Sequence, residues 1–277
     1  MKQVSLPVIL HYLGILFAVV NNNSYICTFF IIRFITFNKL CLFIRQFGVI
    51  GRRIVWHFTD RMKKDIAIYG AGGFGREVFC LINKLNAVSE EPWNVIGFFD
   101  DGKDKGAPVG HYGTVLGGIS EVNAWPNELA LVVAVGSTAN MQKITTGITN
   151  PKISFPNIIH PDVVFSDRDS MKMGQGHIVQ RGSAFSCDVT IGSFNVFNGG
   201  TVLGHDVQMG SCNILMPAVR ISGETRVGNG NFFGIASIVL QGLKVGDGVT
   251  LSAGSVLITK PKDGKLYMGN PAKKTEF

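Results

Sequence analysis

Two adjacent side chains in the stretch TVLGHDVQMG, residues 201–210, are of types that do acid–base chemistry: His205 and Asp206. A neutral imidazole accepts a proton near neutral pH, and a neighbouring carboxylate can orient the ring and steady its cationic form. Such a pair suits removal of a proton from a nucleophile as it attacks. An outward-facing histidine is ordinarily just a solvated side chain, so the setting has to decide. Thr201, Val202 and Gly204 surround the pair with small and apolar groups, an unusual place for an idle charged couple. A metal fits less well. A three-histidine zinc site needs more ligands than this half of the chain offers, since its regular hexads hold only His177 and His205, 28 residues apart. The five cysteines (Cys27, Cys41, Cys80, Cys187 and Cys212) contain no C-x-x-C and form no disulfide framework. No metal is expected, and the cysteine pattern favours a reducing compartment.

A second cluster with chemical potential is glycine-rich. KDIAIYGAGGFGREVFCLINKL reads as a strand at Ile66–Tyr69, a loop, and a helix from about Phe74. Gly70, Gly72 and Gly75 satisfy G-x-G-x-x-G, and a second strand, NVIGFFDD, ends in Asp100 and Asp101. Backbone N–H groups at such a helix start can cradle phosphates. The βαβ unit with a following acid also matches an NAD fingerprint. Against NAD, only about 90 residues precede the next domain, half of a full dinucleotide fold, and no nicotinamide-side constellation follows. A purely structural loop is the third reading. GTVLGGISEV supplies a short crossover helix, and a further strand, LALVVAV, ends at Gly136 before a helix-like TANMQKI.

What must position His205 is visible as a ruler. Every sixth residue from Met173 to Leu257 is apolar, fifteen in succession. At 46% apolar composition this happens by chance on the order of 10⁻⁵ per register, so the repeat is real. A period of six matches neither an α-helix nor a hairpin sheet. It matches a solenoid in which each hexad is a short strand plus a corner, with one side chain pointing in and Gly or Asn at the corners. Three hexads make a triangular coil of 18 residues. Fifteen hexads give five coils and a prism roughly 24 Å tall at the usual strand spacing. In this register Leu203 and Val207 point inward and His205 and Asp206 outward. His177 falls at a small-residue position and reads as a packed or corner residue, and His160 as structural.

These residues together resemble a known family. IYGAGGFGREV, GFFDD, VVAVGS, IIHPDVVFS, VLGHDVQMG and the closing GNPAK resemble the left-handed β-helix, hexapeptide-repeat sugar acetyltransferases of the NeuD and PglD type, over Met62 to Lys274. The resemblance implies a small Rossmann-like βαβ domain (62–150) followed by a left-handed parallel β-helix (151–277). It implies acetyl-CoA as co-substrate and a nucleotide-linked amino sugar as acceptor, with N-acetylation serving surface glycan synthesis. It also implies a homotrimer with sites shared between neighbours. Gly72, Gly73 and Phe74 would line the diphosphate, Asp100, Asp101 and Lys103 would face the nucleoside, and Gly136 would close the crevice. Asn198 would lie near the sugar, His205 would be the general base, and Asp206, where the family has Glu, its partner. Ile214, Gly223, Ile235 and Ala253 would line the CoA groove, with the Gly223 N–H facing the oxyanion. Ile214 stands where the family has a polar residue. A sialic-acid-type O-acetyltransferase and a non-catalytic nucleotide-binding scaffold are the alternatives.

Charge narrows the partners. The net charge of +7 is concentrated in residues 1–61, which hold seven basic side chains against one acidic, leaving 19 basic and 18 acidic elsewhere. The body is nearly neutral and has no basic stripe, which excludes nucleic acid. Residues 1–61 form an apolar, basic extension broken by NNNS, too short and too charged for a clean spanning helix. Met62, just before a lysine pair and the first strand, is the expected start of translation of a cytoplasmic protein. Membrane contact is expected only if residues 1–61 are translated.

Overall fold

A computed structural model describes residues 64–275. The extension 1–61 and the expected start at Met62 lie outside them. Among the described residues no helix is long and apolar enough to cross a membrane.

The first domain is a parallel sheet of five strands: β1 (Lys64–Tyr69), β2 (Trp93–Phe99), β3 (Val115–Gly117), β4 (Leu129–Val133) and β5 (Ile153–Ser154). Their order is β3-β2-β1-β4-β5. The continuous apolar runs of β1 and β4 are those of strands covered on both faces. Helix α1 (Gly73–Asn86) buries Gly75, Val78, Leu81 and Ile82, a stripe of helical period, against the sheet. Connections leave β1 and β4 in opposite directions, so a crevice opens at their carboxyl ends, where ligands bind in this architecture. The segment expected as one crossover helix divides into β3 and the five-residue helix α2 (Ile119–Asn123), and α3 spans Thr138–Gly147.

From Ile158 the chain winds into a three-sided prism of two-residue strands. Its faces hold six, five and eight strands, all parallel except the last, Lys273–Thr275. Residues pair with those 18 further on, as in Leu203↔Ile221 and Met209↔Val227. The first coil begins before the hexad ruler. Ile158–Ile159 and Val164–Phe165 are already strands, and they pair at an offset of 20, as in Phe165↔Phe185. Two extra residues between Phe165 and Met173 break the period and hide this coil in the sequence. Inward positions such as Leu203, Leu215, Ile221 and Phe233 are at most 1% exposed.

The three outer surfaces differ. One face presents Ile158, Ile178, Val196 and Ile214, all buried in a single apolar cluster with Ile66, Val78 and Leu81 of the first domain. The second presents exposed Lys172, Thr190, Gln208, Arg226 and Lys244. The third presents Val164, Ala184, Val202, exposed Arg220, Ile238 and Val256, edged by exposed Ile235, Leu240 and Ile258.

One inner corner carries a polar ladder. The Asn195 Oδ1 accepts the Asn213 N–H at 2.8 Å, the Asn213 Oδ1 accepts the Asn231 N–H at 2.9 Å, and the Asn231 Oδ1 accepts the Val249 N–H at 2.7 Å. These fully buried amides answer backbone donors that no strand satisfies. His177 is a rung of the same ladder: its Nδ1 accepts the Asn195 N–H at 3.1 Å, and its N–H reaches Asn157 Oδ1 at 2.9 Å. The ring is therefore neutral with its proton on Nε2, which has no hydrogen-bond partner. Burial pushes its pKa down to about 4. The unfolded chain takes up this proton near the ordinary value of about 6.5, and the folded chain only near 4. Stability is therefore intact above pH 6.5 and is lost as pH falls toward 4, by up to about 1.4 kcal/mol per pH unit. His177→Asn supplies the side chain used on the next rungs. Denaturant unfolding from pH 7 to 4.5 should give a flatter stability profile for the variant than for the wild-type chain. Parallel profiles would show that His177 does not carry this acid sensitivity.

Candidate active site

His205 sits at the corner that follows the strand Val202–Leu203. Asp206 takes the left-handed conformation (φ 57°) that turns the chain there, as Glu224 does one coil later (φ 59°). This backbone sends the Asp206 carboxylate back toward its neighbour, and Oδ2 lies 2.8 Å from His205 Nδ1. Aspartate is thus long enough to reach the ring. Leu203 and Val207 are fully buried on either side, while the pair itself is about half exposed. The imidazole lies over Gly223, one coil further on: a Cβ there would stand 2.6 Å from His205 Nε2. Among the described residues the Gly223 N–H has no hydrogen-bond partner. At another corner of the prism the corresponding N–H groups are capped, Ser211 by Asn229 and Asn229 by Asp247. The arrangement has a nitrogen base, an orienting carboxylate and a free backbone donor within one corner stack.

Asn198 and His205 flank the same strand, Asn198 at the corner before it and His205 at the corner after. The Asn198 amide donates to the Leu215 carbonyl at 2.9 Å. Ile235 and Ala253 are exposed, stacked at the corner before the third face. Ile214 does not belong with them. It is 2% exposed, inside the cluster that joins the two domains, and a residue without surface cannot line a groove. Its outward position in the hexad was legible, but not which face its strand occupies.

In the first domain the glycine loop lies at the crevice, with Gly136 just beyond β4. Gly75 packs so closely that a Cβ there would stand 1.8 Å from the Gly70 carbonyl oxygen, whereas one on Gly72 or Gly73 would meet open space or only the tip of Arg76. The loop is braced from below. Asp100 Oδ2 accepts the Ala71 N–H at 2.8 Å, and Lys103 Nζ donates to the Ala71 carbonyl at 2.8 Å. Asp101 accepts from the Tyr69 hydroxyl at 2.6 Å and from the Ile119 N–H at 2.9 Å. Burial first, then the bond to Asp101, pushes the Tyr69 phenol far above its ordinary range, so it stays protonated. Asp100, Asp101 and Lys103 thus all have internal bonds, Asp100 and Lys103 to Ala71 of the loop and Asp101 to Tyr69 and Ile119. Helix α1 has no side-chain cap and no acid in its first turn, which leaves its leading N–H groups open at Gly73 and Phe74.

The loop and the corner stack, on these two domains in this order, have counterparts in other proteins. Residues 65–148 match the PglD N-terminal domain. A histidine-to-asparagine variant of perosamine N-acetyltransferase from Caulobacter crescentus, solved with CoA and GDP-perosamine, superposes with a TM-score of 0.68 at 26% identity, covering 77% of this chain and 97% of that one. PerB from the same organism, with the same ligands, gives 0.68 at 28% identity over 76% and 97%. The acetyltransferase domain of PglB from Neisseria gonorrhoeae FA1090, with acetyl coenzyme A, gives 0.59 at 28% over 77% and 100%. These likenesses bear out the resemblance to the left-handed β-helix sugar acetyltransferases of the NeuD and PglD type. It is an acyltransferase. No curated protein matches it by sequence.

Within this acetyltransferase the fingerprint glycines divide into two kinds. Gly75→Ala forces backbone against backbone and should unfold or severely destabilise the first domain. Gly73→Ala should leave the melting temperature within a degree or two, because its Cβ meets only the end of a flexible arginine. Thermal unfolding of the two variants checks this, and equal loss in both would refute the packing role of Gly75.

Proposed function

We propose that the protein transfers an acetyl group from acetyl-CoA to the amine of a nucleotide-linked amino sugar, in the cytoplasm, as a step toward a surface glycan. The observation that carries the reading is the His205–Asp206 bond, with the ring seated on Gly223. With Nδ1 turned to the carboxylate, Nε2 remains as the free base. It takes the proton as the amine nitrogen attacks the thioester carbon. Asp206 steadies the imidazolium that forms. The unpartnered Gly223 N–H is the donor for the oxyanion. Collapse breaks the carbon–sulfur bond, and His205 returns the proton to the departing sulfur. The open loop at Gly72, Gly73 and Phe74 suits a diphosphate, and relatives that carry CoA and GDP-perosamine support both substrates. The exposed Ile235 and Ala253 suit a pantetheine arm, whereas Gly223 is buried beneath the His205 ring and, like Ile214, offers no groove surface.

His205→Ala should fold normally, because its ring fills no core space, and should still bind acetyl-CoA. Its turnover should fall by roughly 10²–10⁴. Gly223→Ala should have a similar effect by displacing the ring. Thiol release from acetyl-CoA with a panel of UDP-, dTDP- and GDP-linked amino sugars provides the assay. A His205→Ala rate within about threefold of wild type, under roughly 0.7 kcal/mol of barrier, would remove the mechanism.

We also propose that the working unit is a homotrimer. One face of the prism is covered by the chain's own first domain and one is polar. The third leaves Ile235, Leu240 and Ile258 between 41 and 50% exposed around Val202, Ile238 and Val256. Exposed apolar side chains gathered on one face, interrupted by Arg220 alone, suit an interface, and this face lies between the Asn198 and His205 corners. Ile238→Asp should yield a folded monomer with little activity in analytical ultracentrifugation and the thiol assay. A fully active monomer would overturn the shared site.

A further inference from the structure

A cleft of about 550 Å³ separates helix α1 from the first coil of the prism, opening at Gly73. Its walls come from four segments: Arg76 and Lys84 on α1, Tyr112 before β3, His160 at the start of the prism, and Gln180 and Arg181 one coil later. The chemistry of this wall is one-sided. Three cations face one acid of the lining, Glu77, and among the described residues Arg76 and Lys84 have no ion-pair partner. The Arg76 guanidinium stands 3.9 Å from the Cβ position of Gly73, over the uncapped start of α1. Arg181 uses Nε on Asp162, at 3.3 Å, which leaves its two terminal nitrogens unengaged. His160 Nδ1 accepts the Asp162 N–H at 3.0 Å, so the ring proton is on Nε2, a donor without a protein partner. That side chain is only 13% exposed.

Exposed lysines and arginines are ordinarily solvated and signify little. Here a largely enclosed histidine donor, an amide and arginines from two domains converge on one cavity continuous with the glycine loop. Three cations and a ring donor against the carboxylates of Glu77 and Asp162 leave an excess of positive charge that favours an oxyanion, and planar guanidinium groups suit phosphate oxygens in particular. The geometry points to a phosphate clamp in which Arg76 from the first domain, with His160 and Arg181 from the prism, grips the diphosphate of the nucleotide sugar. This rests on the nucleotide-sugar reading above and adds to it. The prism then binds part of the nucleotide as well as supplying the base, and His160 is a binding residue.

The test is calorimetric titration of the full chain with UDP, GDP and dTDP. Arg76→Ala and Arg181→Ala should each weaken the preferred diphosphate about 5- to 20-fold. The double variant should lose about 100-fold and show a shallower salt dependence. Acetyl-CoA affinity should stay within twofold. Asp162→Asn, which frees Arg181, should tighten the diphosphate. His160→Phe, which removes the donor, should weaken it, with the melting temperature as the control for folding. Diphosphate binding within twofold of wild type in the double variant would overturn the clamp and leave the nucleotide-sugar reading standing. Failure of the wild-type chain to bind any of the three nucleotides would overturn both.

Discussion

The prism depends on one constraint: each coil must return to the same three corners so that a residue lies beneath the one 18 further on. Parallel backbone bonds such as Gly204 N–H to Ile221 carbonyl, 2.8 Å, hold that register. Almost everything chemical about the protein follows from what it stacks. It sets the His205 ring on Gly223, and a side chain at 223 would collide with the ring. It puts Asn195, Asn213 and Asn231 in line, so that each amide serves the backbone of the next coil. A single residue inserted between 205 and 223 would break both stacks at once.

The corners meet this constraint at a conformational cost. Among the described residues seven non-glycine residues adopt positive φ, with Asp188, Asp206 and Glu224 in one column. The left-handed region disfavours most side chains, and Asp tolerates it better than most. At Asp206 the same backbone that closes the turn also brings the carboxylate to the imidazole. In an extended strand, residues 205 and 206 would point to opposite sides. The pairing of neighbours in sequence is therefore a product of the corner, and it explains how the shorter Asp spans 2.8 Å to the ring.

Much of this was legible in the residues. The hexad period marks the inward positions because each must be apolar and each has the same spacing, and the structure buries Leu203, Leu215 and Phe233 accordingly. The first coil was hidden because two extra residues before Met173 shift the phase, although Ile159 and Phe165 are themselves correctly spaced. Ile214 was misplaced for a different reason. A period of six treats the three faces alike, whereas their outer surfaces are distinguished only at a period of 18. Read in that way, Ile178, Val196 and Ile214 form one apolar column, and Thr190, Gln208, Arg226 and Lys244 a polar one. The glycine loop was recognisable by its spacing. The bonds from Asp100 and Lys103 to Ala71 and from Tyr69 to Asp101 were not, because they join residues about 30 positions apart through a sheet whose register the spacing does not specify.

The unequal faces also bear on how two substrates meet. The first domain occupies one face through the cluster around Val78, Ile178, Val196 and Ile214, so its glycine loop is held relative to the prism by packing. A loop on a flexible tether would deliver a sugar to His205 at the cost of ordering that tether in every turnover. A packed interface settles that ordering once, during folding. It also means that substitutions in the interface, such as Ile214→Ala, would act on how the glycine loop is held against the prism through packing alone.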